Sequence, residues 1–379
     1  VGESLFGSAF LPPVAVLRRE ALNHNLTTMA DYCRREGVEL APHGKTTMCP
    51  RLWQAQLDAG AWGITVATVG QARVAAAHGV PRVLIANEVI DPAGVSWIAE
   101  TAAGEGPELW CYVDSIEGVA RLDAALARTG GGLDLLVEMG PSGGRSGVRT
   151  PEQAEQVATE VARTPRLRGR GLAGFEGVLG TERSAEIEVE VAGFLAAMVE
   201  TARRLWDRGL IAGPGCVLSA GGSAFFDLVA QAFRNPGFPS LTLLRSGCYL
   251  SHDHGLYERT SPLAGTDHPL MGALEVWATV ISTPEQGLAV ADAGRRDLNP
   301  DGTPPTVISI WRPHHGVAAP GAVSALRLYD QHTVLTGDLG IGDRVGLGVS
   351  HPCLTFDRWA VLPVLDADHR VVEVVDTHF

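Results

Sequence analysis

Four short stretches carry the residues best placed to do chemistry. The first is Ala41-Pro42-His43-Gly44-Lys45-Thr46-Thr47. The run 38–41 reads as a buried strand, Pro42 ends it, and Lys45 follows at once. In a parallel barrel, a lysine just past the C-terminal end of an early strand points into the mouth where active sites are built. A partly desolvated amine there has a lowered pKa and can form a Schiff base. Gly44-Lys45-Thr46 also ends like a phosphate-binding P-loop. That motif needs a second glycine five positions before Gly44, and Glu39 stands there instead, so the P-loop is excluded.

The second stretch is a pair of glycine turns, Ser219-Ala220-Gly221-Gly222-Ser223 and Ser246-Gly247-Cys248-Tyr249. Glycine lets the main chain approach a ligand closely. Backbone N–H groups in the loops after barrel strands seven and eight commonly hold phosphate. Each turn alone reads as an ordinary tight turn; two of them, together with the lysine after strand one, point to a phosphate. The third stretch places Arg145 in the glycine-rich loop 139–148, where it can reach a cofactor oxygen or brace the loop by a salt bridge. The fourth is His351-Pro352-Cys353, with Asp357 close behind. In an extended segment, residues two apart point the same way, and both side chains are good zinc ligands. Two ligands give an open site that water or substrate completes; the alternative is a buried cysteine beside an incidental histidine.

The elements that must position these residues are legible in the pattern. Strand-like runs at 38–41, 63–67, 82–86, 109–113, 133–138, 171–175, 216–220 and 241–245 alternate with helix-like segments at 18–36, 50–59, 71–78, 98–103, 116–127, 151–163 and 186–208. Apolar strands separated by helical crossovers mean a parallel sheet. Eight such units over roughly 230 residues match a closed barrel. No G-x-G-x-x-G follows the first strand, which removes a dinucleotide site there. After residue 270 the texture changes to short strands at 274–281, 287–291, 306–311, 325–329, 344–348, 359–365 and 371–375, with helices nearly absent. The expected fold is therefore α/β: a (β/α)8 TIM-type barrel over 18–268, plus a mainly-β domain from 1–17 and 269–379 that carries the metal pair.

Charge narrows the partners. Lys and Arg total 30 against 43 Asp and Glu, a net charge of -13, which disfavours nucleic acid and anionic membrane surfaces. No apolar run is long enough to span a bilayer, and no signal-peptide pattern opens the sequence. The six cysteines are scattered, with no C-x-x-C. They read as reduced thiols of a cytoplasmic protein.

Taken together, the chain resembles the fold-type III pyridoxal-phosphate enzymes related to alanine racemase, and within them the D-serine dehydratase and D-threonine aldolase branch. The most specific marks are Pro42-His43-Gly44-Lys45-Thr46 and Ser350-His351-Pro352-Cys353-Leu354-Thr355-Phe356-Asp357, and the resemblance extends over essentially the whole chain. It implies that Lys45 is the Schiff-base lysine and that Arg145 touches the pyridoxal ring hydroxyl. It implies a phosphate cradle of Gly221, Gly222, Gly247, Cys248 and Tyr249, largely through backbone groups, and metal ligands at His351 and Cys353. His332 stands where the family has a histidine near the metal, and Glu176 lies at a variable position after strand six.

The dehydratases of that branch resemble this chain in pairing histidine with cysteine around zinc. The aldolases typically have aspartate in place of the cysteine and use harder ions. Thiolate favours zinc, with manganese or magnesium as the alternatives. The resemblance thus implies a PLP-dependent lyase that eliminates the β-hydroxyl of a D-3-hydroxy amino acid, giving a 2-oxo acid and ammonia. Retro-aldol cleavage to glycine and an aldehyde, with His332 as a base, is the alternative. Amino-acid racemisation and non-catalytic PLP binding are further alternatives. The resemblance also suggests a homodimer.

Overall fold

The computed structural model describes residues 1–299 and 303–379. It contains two compact units, one of Ala30–Lys45 and Trp53–Gly247, the other of Val1–Met29, Thr46–Leu52 and Cys248–Phe379. The first strand, β1 (Val14–Arg18), belongs to the second unit.

The first unit is the barrel. Its strands are β2 (Glu39–Leu40), β3 (Ile64–Val66), β4 (Arg82–Glu88), β5 (Glu108–Val113), β6 (Leu133–Met139), β7 (Leu167–Gly174), β8 (Cys216–Ala220) and β9 (Ser240–Leu244). All pair in parallel, in the order β2-β9-β8-β7-β6-β5-β4-β3. The ring closes between its two ends: Trp62 N–H donates to Leu40 O at 2.8 Å and Thr65 N–H to Pro42 O at 2.9 Å. Strands buried on both faces make this possible, since β6 has no exposed residue along its length. The interior is filled from successive strands by Leu84, Trp110, Tyr112, Leu136, Ala173, Val217 and Leu243, a packed core rather than a pore.

Helices connect the strands, and local signals set where they start. Thr68, Ser115, Thr150 and Ser184 each cap a helix by accepting an N–H three residues on. Asp91 does the same for Pro92–Ala103, which therefore begins six residues before the 98–103 segment legible from hydrophobic spacing. One helix, Phe226–Phe233, falls in a stretch that gives no helical signal by pattern. It buries Phe226, Val229, Ala230 and Phe233 and has no side-chain cap, so it has neither a broad polar face nor a start signal.

The second unit is mainly β. Its strands β10 (Leu274–Glu285), β11 (Leu288–Ala291), β12 (Thr306–Arg312), β13 (Gly316–Ala318), β14 (Ser324–Leu328), β15 (Thr333–Thr336), β16 (Arg344–Gly348), β17 (Val361–Leu365) and β18 (Val371–Asp376) join β1. The order is β13-β12-β16-β10-β1-β17-β18, and β11, β15 and β14 branch from the long β10. β1 lies antiparallel to β10 and parallel to β17. Leu5, Val14, Val16, Trp277, Leu365 and Val371 form its core.

Candidate functional site

In the barrel unit, Lys45 follows β2 in a single 3-10 turn, Gly44–Thr46. Packing fixes that turn. A Cβ on Gly44 would meet Ile64 Cγ2 at 2.7 Å and Trp53 Nε1 at 2.8 Å, and Trp53 Nε1–H donates to Gly44 O at 3.2 Å. Gly44 and Thr46 are buried while Lys45 itself is exposed. The lysine's position is thus set by its buried neighbours, and its own side chain is exposed.

His43 precedes it, and three cations gather on that ring. Burial first, then the positive charges of Lys45, Arg245 and Arg145, hold its pKa well below the usual imidazole range. The ring is neutral, and its Nδ1 is sealed from solvent without a partner. Arg145, on an exposed loop, stacks its guanidinium 4.9 Å from the Phe175 ring centroid. Arg245 is buried, donates to Ser219 Oγ at 2.6 Å and Gly174 O at 2.5 Å, and lies 5.7 Å over the Tyr112 ring. The Tyr112 hydroxyl is likewise buried and unpartnered. Three cations around two unpartnered buried groups fit an anionic, oxygen-rich cofactor.

The glycine turns are where the sequence places them, with one addition. Gly221 and Gly222 present their N–H groups together, and both donate to the Glu176 carboxylate, at 3.1 and 2.5 Å. Glu176 is fully buried. Two adjacent N–H donors already bind an anion, which is the behaviour a phosphate cradle requires. Gly247 must be glycine, because a Cβ there would lie 2.4 Å from His43 O.

Acidic groups collect elsewhere in the barrel. Burial, then a hydrogen bond shared with Glu138 and the charges of Glu138 and Asp114, push Glu88 up to about 8.

In the mainly-β unit, the donor atoms of Cys248, His351 and Cys353 lie within 4.8 Å of one another. Cys248 Sγ is 3.6 Å from Cys353 Sγ. Thr46 Oγ1 is 3.4 Å from Cys353 Sγ and 3.7 Å from Cys248 Sγ. The Tyr257 ring meets the His351 ring edge-on at 5.6 Å. Asp253 fixes Tyr257 by accepting the N–H groups of Gly255 and Tyr257 at 2.9 Å and of Glu258 at 3.2 Å. The hydrogen bond with Cys248, then His351, hold the Cys353 thiol well below its usual range against the effect of burial. The same hydrogen bond and burial push Cys248 up. The pair therefore behaves as one thiolate beside one thiol, and soft donors of this kind suit a divalent ion such as zinc.

The segment around this pair is not extended, as the spacing had suggested. Pro352 adopts helical angles (φ -74°, ψ -31°) and opens the short helix Cys353–Phe356, because its ring holds φ where a helix begins. The turn brings the His351 and Cys353 donors together all the same. Tyr249 is buried in this unit. His332 is exposed in the turn between β14 and β15, where its carbonyl accepts the Tyr329 N–H at 2.7 Å; it is not one of the donors gathered at Cys353. Sequence reading missed the Cys248 sulfur, Arg245, Glu176 and Thr46 as neighbours of these groups. No spacing rule links residues this far apart in the chain.

Residues 17–250 match the family model "Alanine racemase, N-terminal domain". That is more than half of the chain. The chain belongs to this family. Residues 273–365 match a second model, "Putative serine dehydratase domain". It is a pyridoxal-phosphate-dependent lyase of the D-serine dehydratase and D-threonine aldolase branch. A D-threonine aldolase from an Arthrobacter species is 27% identical, over 92% of this chain and 91% of its own. A D-threo-3-hydroxyaspartate dehydratase from a Delftia species is 28% identical, over 76% of this chain and 73% of its own. The crystal structure of a D-threonine aldolase from Filomicrobium marinum superposes with a TM-score of 0.85 at 26% identity, covering 100% of this chain and 97% of that one. Among the described residues, no helix is long and apolar enough to cross a membrane.

Proposed function

We propose that this lyase removes the β-hydroxyl of a D-3-hydroxy amino acid and releases a 2-oxo acid and ammonia, using pyridoxal phosphate and zinc. The observation that carries this reading is the donor beside His351, which is the Cys353 thiol rather than a carboxylate. Thiolate selects zinc over manganese or magnesium. A Lewis acid held there would polarise the β-oxygen and assist its departure.

The residues then take these roles. Lys45 holds the cofactor through its amine, and that amine, once freed by the substrate, takes the proton from Cα. Arg145 faces the ring hydroxyl. Gly221, Gly222, Gly247, Cys248 and Tyr249 hold the phosphate, and Glu176 gives up the Gly221 and Gly222 N–H groups to it. When bound, the cofactor supplies an electron sink for the charge left at Cα. His351 and Cys353 would hold the zinc, which would supply Lewis acidity at the hydroxyl. The Cα–H electron pair becomes the Cα–Cβ double bond as the C–O bond breaks. The released enamine takes up water and loses ammonia.

Ammonia and 2-oxo acid, measured against glycine and aldehyde over D- and L-isomers of serine, threonine and 3-hydroxyaspartate with added zinc or manganese, test the reading. Glycine and aldehyde as the main products would overturn it. Retro-aldol cleavage is the second reading, favoured by the likeness to D-threonine aldolases; His332 would then deprotonate the β-hydroxyl. We also propose a homodimer, which sedimentation equilibrium would establish.

A further inference from the structure

The proposed metal site rests on two ligands, His351 and Cys353, with Cys248 assigned to the phosphate cradle. We infer that the Cys248 side chain is a third metal ligand, so that the site is Cys2His with one open position. This rests on the proposed zinc dependence and deepens it.

The sulfur geometry carries the inference. Two sulfurs bound at about 2.3 Å to a tetrahedral zinc lie about 3.8 Å apart. Cys248 Sγ and Cys353 Sγ are 3.6 Å apart. A disulfide would bring them to about 2.05 Å, so the two sulfurs are not bonded to each other, and their spacing already matches that of two sulfurs on one zinc. The third donor, on His351, completes a set whose members all lie within 4.8 Å of one another. The other four cysteines are buried and belong to no such group among the described residues.

Thr46 Oγ1 stands within 3.7 Å of each sulfur, so one hydroxyl can donate to either without taking a coordination position. The backbone of Cys248 is unaffected by this role. Gly247 and Cys248 can offer main-chain groups to a phosphate while the side chain turns to the metal.

The consequence is chemical. Three protein ligands in a tetrahedral zinc site leave one position, the arrangement of catalytic rather than structural zinc. That single position is where a substrate hydroxyl would bind. Two thiolates also soften the site further, so it discriminates against manganese and magnesium more strongly than a histidine–cysteine pair would.

Zinc K-edge absorption on the reduced, zinc-loaded protein counts the ligands directly and needs no variant. Two sulfurs per zinc near 2.3 Å are expected; one sulfur overturns the inference and leaves the two-ligand reading standing. A protein that takes up no zinc at all overturns both. Chelator competition on Cys248→Ser and Cys248→Ala provides a second measurement. Each should weaken zinc by at least about 100-fold, beyond the roughly 10–100-fold that loss of an outer-shell partner costs. Zinc affinity within a few-fold of the unaltered protein, with Cys353→Ser still abolishing it, would also sink the idea.

Discussion

The Glu176 carboxylate accepts the N–H of Gly222 at 2.5 Å and that of Gly221 at 3.1 Å. These are the donors assigned to the cofactor phosphate, and a backbone N–H cannot serve two anions at full strength. Glu176 therefore competes with phosphate for its own cradle. Replacing it with alanine removes the competitor and the like charge. Equilibrium titration should show Glu176→Ala binding pyridoxal phosphate several-fold more tightly. Weaker binding would mean that the carboxylate shapes the turn instead of occupying it.

Lys45 carries two roles, tether and base. Proton transfer by a positioned group is worth about 10²–10⁴-fold in rate, so Lys45→Ala should lower turnover by at least about a thousandfold once the tether is also lost. The variant should still bind the cofactor through the phosphate groups and lack the absorption band of the lysine-linked form. Full turnover with that band intact would remove the proposed role.

Glu88 makes stability depend on pH. Its folded pKa is raised to about 8, while in an unfolded chain it is about 4.3. Between those values the folded state keeps a proton that the unfolded state has lost, so stability falls as pH rises. The contribution is intact below about 4.3 and fully lost above 8, a change on the order of a few kcal/mol. Urea midpoints at pH 5, 7 and 9 should decline for the unaltered chain and decline less for Glu88→Gln. Parallel profiles for the two would show that the Glu88–Glu138 pair is not responsible.

Gly44→Ala tests the turn that presents Lys45. Its Cβ would press on Ile64 and Trp53 at under 3 Å, and both are fully buried. Overpacking of this kind costs about 1–3 kcal/mol. Thermal unfolding should report that loss, and turnover should fall further than stability explains because the amine is displaced. An unchanged melting temperature would show that the turn accommodates the methyl group.

Most barrel strands were legible because a strand buried on both faces reads as a short apolar run bounded by turn residues; β7 begins four residues before the 171–175 run, where Arg168 and Arg170 interrupt the apolar pattern. The helix Phe226–Phe233 was not legible, since its residues lack the broad polar stripe that marks a helix. The start of Pro92–Ala103 depends on Asp91 accepting the Ala93 and Gly94 N–H groups at 3.0 and 3.1 Å, a capping signal rather than a hydrophobic one. The Pro352 turn was misjudged for a similar reason: spacing alone does not distinguish an extended segment from the first turn of a helix.

The sequence by itself determined the alternation of strand and helix, the lysine after the first barrel strand, the two glycine turns, and the histidine–cysteine pair. Those features are local, and a few adjacent residues suffice to state them. Only the tertiary structure decided what each group meets. It set Lys45, Arg245 and Arg145 around a neutral His43, gave the Gly221 and Gly222 N–H groups to Glu176, and brought Cys248 to 3.6 Å from Cys353 across a separation of 105 residues. Such neighbours are chosen by how strands pair and loops close, and no short-range pattern in the chain encodes them.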